Sequence, residues 1–254
     1  MRVSFVSDEN LAFAAIVDGF RPVAEPFGMD ARFYDAGERQ DADHGIALGH
    51  CLNDLLYRWR IGALPIDIVG VVSIHFEYQK VGVNHDIPFH HINVTKENKP
   101  KAEAALMKVI ESTKTELVVF ARYMQVLSDD MCRTLSGQLI NIHHFFCRAS
   151  RAPIPKSRPR ARREADRCDG AHVTADLDEG LIIEQDTVRM THAQSAEDYV
   201  SLGQDVESQV LARAIHAHIH HRGFINGNRT VIFSPSPGSY ASERMGWSAE
   251  LDRN

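Results

Sequence analysis

Nowhere in the chain is there an unbroken apolar run of the roughly 20 residues that a membrane-spanning helix requires, so a transmembrane helix is excluded. Cysteine is scarce. Cys51, Cys132, Cys147 and Cys168 show neither CxxC spacing nor the Cys/His spacing of a zinc site, so no metal is expected. There is no excess of positive charge: the net charge is −6, which gives no general electrostatic reason to expect a nucleic-acid partner. The first apolar run is interrupted by Asp8 and Glu9, unlike a signal peptide. These absences leave a soluble, reduced, cytoplasmic protein as the expectation. What is present is an ordinary globular balance, 44% hydrophobic and 24% charged residues in 254. That is enough for one large domain, or one domain with a smaller companion.

The patterning divides the chain. Residues 2–7 have strand-type composition, Ala12, Ala15, Ile16 and Phe20 recur at helical spacing, and 29–34 reads as a second extended run. Such a β-α-β piece is too small to close its own core. Residues 38–44 are polar and acidic, which reads as a linker. Helix and strand then alternate. Leu52, Leu55, Leu56 and Trp59 form a helical stripe, and 66–72 is a β-branched run typical of a buried parallel strand. Pro100 opens a helix whose stripe is Ala102, Ala105, Leu106, Val109 and Ile110. Residues 117–121 and 139–142 are further apolar strands. Ser195 with Asp198 resembles a capping box opening a helix with Tyr199, Leu202, Val206 and Val210 inward. A last strand covers 230–233. Strand–helix alternation predicts an α/β fold with an open, mostly parallel sheet flanked by helices. One stretch breaks the pattern: residues 147–170 hold seven Arg, one Lys and three Pro against three acidic residues, and read as a basic irregular insertion.

In parallel sheets ligands bind beyond the carboxyl ends of the strands, where Asn141 and His143 fall. Two residues apart on a strand, they are expected to project to one side. An amide beside an imidazole suits attack on a carbonyl, the amide stabilising an oxyanion and the imidazole moving a proton. Asp178, in an Asp-Leu-Asp-Glu-Gly turn, can orient or charge the imidazole or position water. The same residues are equally compatible with side chains that only satisfy backbone groups and a carboxylate that only forms a turn. Among the other histidines, His216, His218, His220 and His221 crowd a helix end, where imidazoles favour the dipole. His90 and His91 are expected to be structural, and Cys51 and Cys132 to be buried, unreactive thiols.

The strings LINIHH, VTADLDEG and ARYMQVLS resemble the formyltransferase fold shared by glycinamide ribonucleotide formyltransferase, methionyl-tRNA formyltransferase and formyltetrahydrofolate deformylase. The doubled His143-His144, GHCLNDLLYRW, IPFHHI and NGNRTVIF resemble the deformylase branch, and the resemblance covers nearly the whole chain. It implies that Asn141, His143 and Asp178 are the catalytic residues. It also implies that Met124, Gln125, Val126 and Leu127 line the folate pocket, largely through backbone, with help from the loop around Asp176. The implied reaction is hydrolysis of 10-formyltetrahydrofolate to tetrahydrofolate and formate, supplying formate for purine biosynthesis and balancing one-carbon pools. The folate is the substrate, and no metal or redox cofactor is needed. The main alternative is formyl transfer to an amine acceptor; a third reading makes the arginine-rich run a nucleic-acid-binding arm on an inactive scaffold. A homo-oligomer is expected. The resemblance divides the chain into a partial ACT-like regulatory domain at 1–37, a linker and disrupted first strand at 38–48, and a catalytic domain at 49–254.

The chain departs from the family in places. Only the second half of an ACT module has a counterpart here. Ile74 stands where the family usually has Asn, and Leu181 where it has Pro. The family has an apolar strand resembling TLIMVSKFG where this chain has residues 40–48, whose Gln-Asp-Ala-Asp-His is a poor buried strand. After the doubled histidine the family continues with a string like SFLPSFKGANP. Encoded as CTG CCG AGC TTC AAG GGC GCC AAT CCC and read one base later, LPSFKGANP gives Cys-Arg-Ala-Ser-Arg-Ala-Pro-Ile, the residues at 147–154. The family's GVKLIGAT, read in the third frame, can give residues 163–169, and the family pattern resumes at Val173. Residues 147–170, and similarly 40–48, are therefore read as out-of-frame translation. Sequencing the source DNA across both windows should reveal compensating single-base shifts; an intact frame encoding the arginine-rich run overturns this reading.

Overall fold

A computed structural model describes residues 2–3, 11–29, 31–34, 43–47, 51–95, 97–121, 127–147, 165–172, 182–189, 194–226 and 229–234. The chain forms two compact units, Met1–Ala42 and Asp43–Asn254.

In the first unit, helix α1 spans Phe13–Ala24 and runs into a 3-10 turn, Glu25–Phe27, that ends at Gly28 with φ +59°. A left-handed φ is one glycine adopts at no steric cost. Phe20 meets Phe33 edge-on at 5.4 Å. The expected strand at 2–7 lies mostly outside the described residues. The expected extended run at 29–34 makes no strand pairing at its described positions. Among the described residues of this unit only Ala24 is buried, while Val3, Leu11, Val23 and Phe27 are exposed, Phe27 at 78%. This is the apolar exposure expected of a piece too small to enclose a core.

The second unit follows the order β1 (Asp43–Ala47), α2 (Leu52–Arg60), β2 (Ile66–Ser73), α3 (Glu77–Val83), β3 (Phe89–His91), α4 (Lys99–Thr113), β4 (Leu117–Ala121) and α5 (Asp129–Thr134). It continues with β5 (Leu139–Cys147), β6 (Ala165–His172), β7 (Ile182–Arg189), α6 (Ala196–Ile219), β8 (Gly223–Asn226) and β9 (Arg229–Ile232). Among the described residues β3-β2-β1-β4-β5-β6-β7 form one sheet, and β8-β9 a separate antiparallel pair. The pairs from β3 to β5 are parallel, and β6 and β7 add antiparallel. This is the open, mostly parallel sheet anticipated from the alternating pattern.

Two expectations are corrected. The linker reading of 38–44 does not hold to its end, because Asp43–Ala47, where a disrupted first strand was expected, is a strand in the centre of the sheet. Nor is 147–170 irregular throughout, because Ala165–His172 pairs with β5 on one side and β7 on the other. The physical reason is the same in both places. A ladder is made by main-chain N–H and C=O groups, which every non-proline residue carries, so a strand with two well-formed neighbours pairs whatever its side chains prefer.

The sheet is filled on both faces. On one, Val119, Ala121, Ile140 and Ile142 pack with Leu55 and Leu56 of α2 and Val210, Leu211 and Ile215 of α6. On the other, Val118, Phe120 and Leu139 pack with Leu106 and Ile110 of α4 and Met131 of α5. Successive residues of β4 thus enter opposite cores, as strand alternation requires, and all five are buried. Each fully buried aliphatic or aromatic side chain contributes roughly 1.5–3 kcal/mol. Cys51 and Cys132 are buried and outside any disulfide, and burial pushes the Cys132 thiol up.

Helix α6 starts at the anticipated capping box: Ser195 Oγ accepts from Asp198 N at 3.2 Å, and Asp198 Oδ2 accepts from Ser195 N at 2.7 Å. At its other end Arg222, buried at 6%, donates to His216 Nδ1 at 3.3 Å and to the Phe233 carbonyl at 3.2 Å. Arginine only donates, so His216 Nδ1 accepts and its proton sits on Nε2. Burial, then the neighbouring His220 and Arg222, lowers His216 to about 4. His216 is therefore neutral near pH 7, and the expected cationic partnership with the helix dipole does not hold for it. Between pH 6.5 and about 4 the unfolded chain takes up a proton that the folded chain refuses. This contribution to stability is complete above pH 6.5 and falls as pH drops to about 4, by on the order of 3 kcal/mol. Urea midpoints measured across that window should show the loss, and His216→Gln should flatten it.

Candidate active site

Asn141 sits on β5, paired through the ladder with Phe120 of β4 on one side and Ala171 of β6 on the other. Its neighbours Ile140 and Ile142 enter the core beneath α6, so alternation places Asn141 on the opposite face. It is half-buried, and among the described residues its Oδ1 is buried without a hydrogen-bond partner. Asn141 lies one residue before the parallel pairing of β5 with β4 ends at Ile142, the edge of a parallel sheet at which ligands bind. The sequence pattern ends this strand near Ile142, whereas β5 runs on to Cys147 because β6 extends the pairing.

The remaining site residues are placed unequally. The backbone of His143 belongs to β5 and pairs with Asp169, while its side chain lies outside the described residues, as do Met124, Gln125, Val126, Asp176 and Asp178. Leu127 is described: its side chain is 5% exposed and packs among Leu106, Met131 and Phe120. What Leu127 offers a ligand is therefore main chain.

The structure shows how the far end of that segment is anchored. Glu103 on α4, paired with Lys99 at 3.8 Å, accepts a hydrogen bond from Ser128 N at 2.9 Å. Ser128 then caps α5, its hydroxyl accepting from Met131 N at 3.3 Å. A carboxylate 25 residues upstream thus pins the chain immediately after 124–127. Sequence reasoning missed Glu103, since on α4 it looks like half of an ordinary i,i+4 ion pair. At the ends of β2 and β3, Ser73 Oγ accepts from His75 N at 3.0 Å. His91 Nε2 contacts the Ile74 carbonyl at 3.1 Å, and its ring stacks on Phe76 with centroids 3.8 Å apart. His91 therefore secures the turn after β2, in keeping with the structural role expected of it. Among the described residues no group of three or more His, Cys, Asp or Glu side chains could hold a metal, and no helix is long and apolar enough to cross a membrane.

Residues 46–215 match the family described as formyl transferase. A formyltetrahydrofolate deformylase of Corynebacterium sp. (strain P-1) is 40% identical over 235 residues, covering 91% of this chain and 82% of that protein. The crystal structure of formyltetrahydrofolate deformylase from Burkholderia mallei superposes with a TM-score of 0.77 at 39% identity, covering 89% of this chain and 81% of that one. A glycinamide ribonucleotide transformylase from Symbiobacterium toebii superposes with a TM-score of 0.64 at 21% identity, covering 80% and 99%. That last likeness shows the fold alone.

The Glu103 anchor generates a prediction. Glu103→Ala removes a charge-assisted hydrogen bond and should lower stability by about 1.5–3 kcal/mol in urea denaturation. Glu103→Gln keeps an acceptor for Ser128 N and should cost clearly less; equal losses would show that the bond is not the cause.

Proposed function

The chain belongs to the formyl transferase family, among its formyltetrahydrofolate deformylases, and we propose that it hydrolyses 10-formyltetrahydrofolate to tetrahydrofolate and formate. The observation that carries this reading is likeness to a deformylase at 40% identity along 91% of the chain, with the Asn-Ile-His strand end intact. The placement of Asn141 supports it: the side chain stands where the parallel pairing of β5 with β4 ends, and its amide N–H can donate to a reacting carbonyl oxygen.

In this mechanism water attacks the formyl carbon and the carbonyl oxygen becomes an oxyanion. Asn141 donates a hydrogen bond to that oxyanion. His143 takes the proton from water and returns it to N10 as the carbon–nitrogen bond breaks, leaving tetrahydrofolate and formate. Asp178 orients the imidazole and stabilises its charged form. Main chain at Met124, Gln125, Val126 and Leu127, with the loop at Asp176, holds the pterin. Folate is the substrate, and the sequence of steps uses no metal or redox cofactor. We place the reaction in the cytoplasm, supplying formate for purine biosynthesis and balancing one-carbon pools. Residues 1–37 are read as ACT-like and regulatory, and the working assembly as a homo-oligomer.

Formyl transfer to an amine acceptor is the competing chemistry, and it is distinguished by its need for the acceptor. Formate should be released from 10-formyltetrahydrofolate with no acceptor present. Asn141→Ala should lower kcat by about 100- to 1000-fold, and Asp178→Ala should abolish formate release. Product that forms only when glycinamide ribonucleotide is added would replace hydrolysis with transfer.

A further inference from the structure

Away from the strand ends that carry Asn141, a cleft of about 330 Å³ opens between α2 and α6. From α6 it is lined by Gln209, Ala212, Arg213 and His216, a stripe at i, i+3, i+4 and i+7 on one helical face. The neighbouring stripe of the same helix, Val210, Leu211, Ala214 and Ile215, is spent on the sheet core. From the other side come Arg58, in the last turn of α2, with Ala63 and Leu64 just before β2. No residue assigned to the deformylase chemistry lines this cleft.

Its two guanidinium groups are held in place but not used up. Arg58 Nε donates to Asp54 Oδ2 at 2.7 Å, and among the described residues no hydrogen bond engages its two terminal amino groups. Arg213 Nη2 donates to Asp186 Oδ2 at 2.7 Å, which holds the Asp186 carboxyl below its usual range. Arg213 Nε is buried, with Glu184 Oε2 3.9 Å away, so what this side chain offers the cleft is Nη1, which makes no hydrogen bond among the described residues. Both arginines are thus fixed by carboxylates on one edge and present unspent donors on another. That is the planar, preoriented arrangement that receives a carboxylate. Gln209 adds an amide, while Ala63, Leu64 and Ala212 are buried and give the cleft an apolar wall.

From this convergence we propose that the cleft is a binding site for a small organic monocarboxylate, its charged end on Arg58 and Arg213 and its apolar body against Ala63, Leu64 and Ala212. The three carboxylates of Asp54, Glu184 and Asp186 already outnumber the two guanidinium groups. A singly charged, lightly hydrated anion with an apolar body therefore suits the cleft better than a multiply charged phosphate, which has more hydration to lose and nothing to gain from the wall. The site is separate from the folate site, so its occupant does not compete with substrate.

The test is calorimetric titration of the full chain with sodium benzoate at fixed ionic strength, with benzamide as the uncharged isostere and inorganic phosphate as a second control. Benzoate should bind saturably with Kd on the order of 1 mM, reasonable for nine non-hydrogen atoms. Benzamide and phosphate should bind at least about tenfold more weakly. Arg58→Gln, a substitution at a partly exposed position, should weaken benzoate about tenfold and leave formate release unchanged. Ala212→Phe should abolish benzoate binding by filling the cleft without touching either charge, its thermal melt confirming a folded chain. Equal binding of benzamide or phosphate, benzoate binding that survives both substitutions, or competition between benzoate and 10-formyltetrahydrofolate would each overturn the proposal. Because binding is read directly, its failure is distinguishable from a failure of the deformylase reading.

Discussion

The main-chain ladder through Asp43–Ala47 is the constraint on which the rest of the large unit depends. It joins the β2–β3 edge to the block formed by β4, β5, β6 and β7, and both of its partners are parallel. Parallel strands cannot be joined by tight turns, so each half needs its crossover helices, and both sets of helices need a continuous sheet to lie on. The α6 face shows the consequence. Leu55 and Leu56 of α2 share one core with Ile140 and Ile142 of β5, although α2 follows β1 and β5 stands beyond β4. Without the central strand those side chains would have no common surface. The ladder is also irregular at that point, with a register shift between Gly45 and Ile46, where a segment lacking strand character accommodates two neighbours that have it.

This explains which elements are legible in the sequence. Residues 66–72 and 117–121 read as strands because a strand buried on both faces must be apolar at successive positions, and β4 matches its anticipated limits at both ends. The capping box at Ser195 is legible because its hydrogen bonds are local: both partners lie within three residues. Asp43–Ala47 and Ala165–His172 are not legible as strands, since nothing in them alternates and their pairing is imposed by neighbours distant in sequence. The same holds for β7. Its described side chains past Ile183 are exposed or half-buried, so it lacks the apolar run that identifies an inner strand.

The candidate site divides along the same line. Asn141 and His143 are legible as candidates because the residues that place them, Leu139 to Ile142, carry their own strand signal. Glu103 was not found, because its role depends on a contact 25 residues away that no local pattern announces. The consequence for function is specific. Chemistry on a carbonyl requires groups positioned to a fraction of an ångström. Asn141 inherits that precision from β4 and β6 on either side, and the start of α5 inherits it from a single carboxylate on α4. The first rests on many shared hydrogen bonds and the second on one, so damage at Glu103 falls on the chain next to residues 124–127, the proposed folate-binding segment, before it reaches the strand that carries the amide.

Helix α6 brings these threads together, because its period lets one segment serve two surfaces. A turn of 3.6 residues sets Val210, Leu211, Ala214 and Ile215 beside, not among, Gln209, Ala212, Arg213 and His216. The first group is 0% exposed and joins the sheet core, so its residues are constrained by volume. The second group faces a cleft and is constrained only by what keeps the helix in place. Arg213 meets that need through Asp186 and Glu184, and His216 through Arg222. Each of these contacts engages one edge or one nitrogen of its side chain, which is sufficient for anchoring. Full satisfaction of Arg213 would take further acceptors than its described neighbours provide. A residue selected only to anchor the helix could be a lysine, whose single ammonium meets Asp186 as well. The planar fork, with Nη1 unengaged among the described residues and a second guanidinium lining the same cleft, is the feature on which the proposed binding site rests.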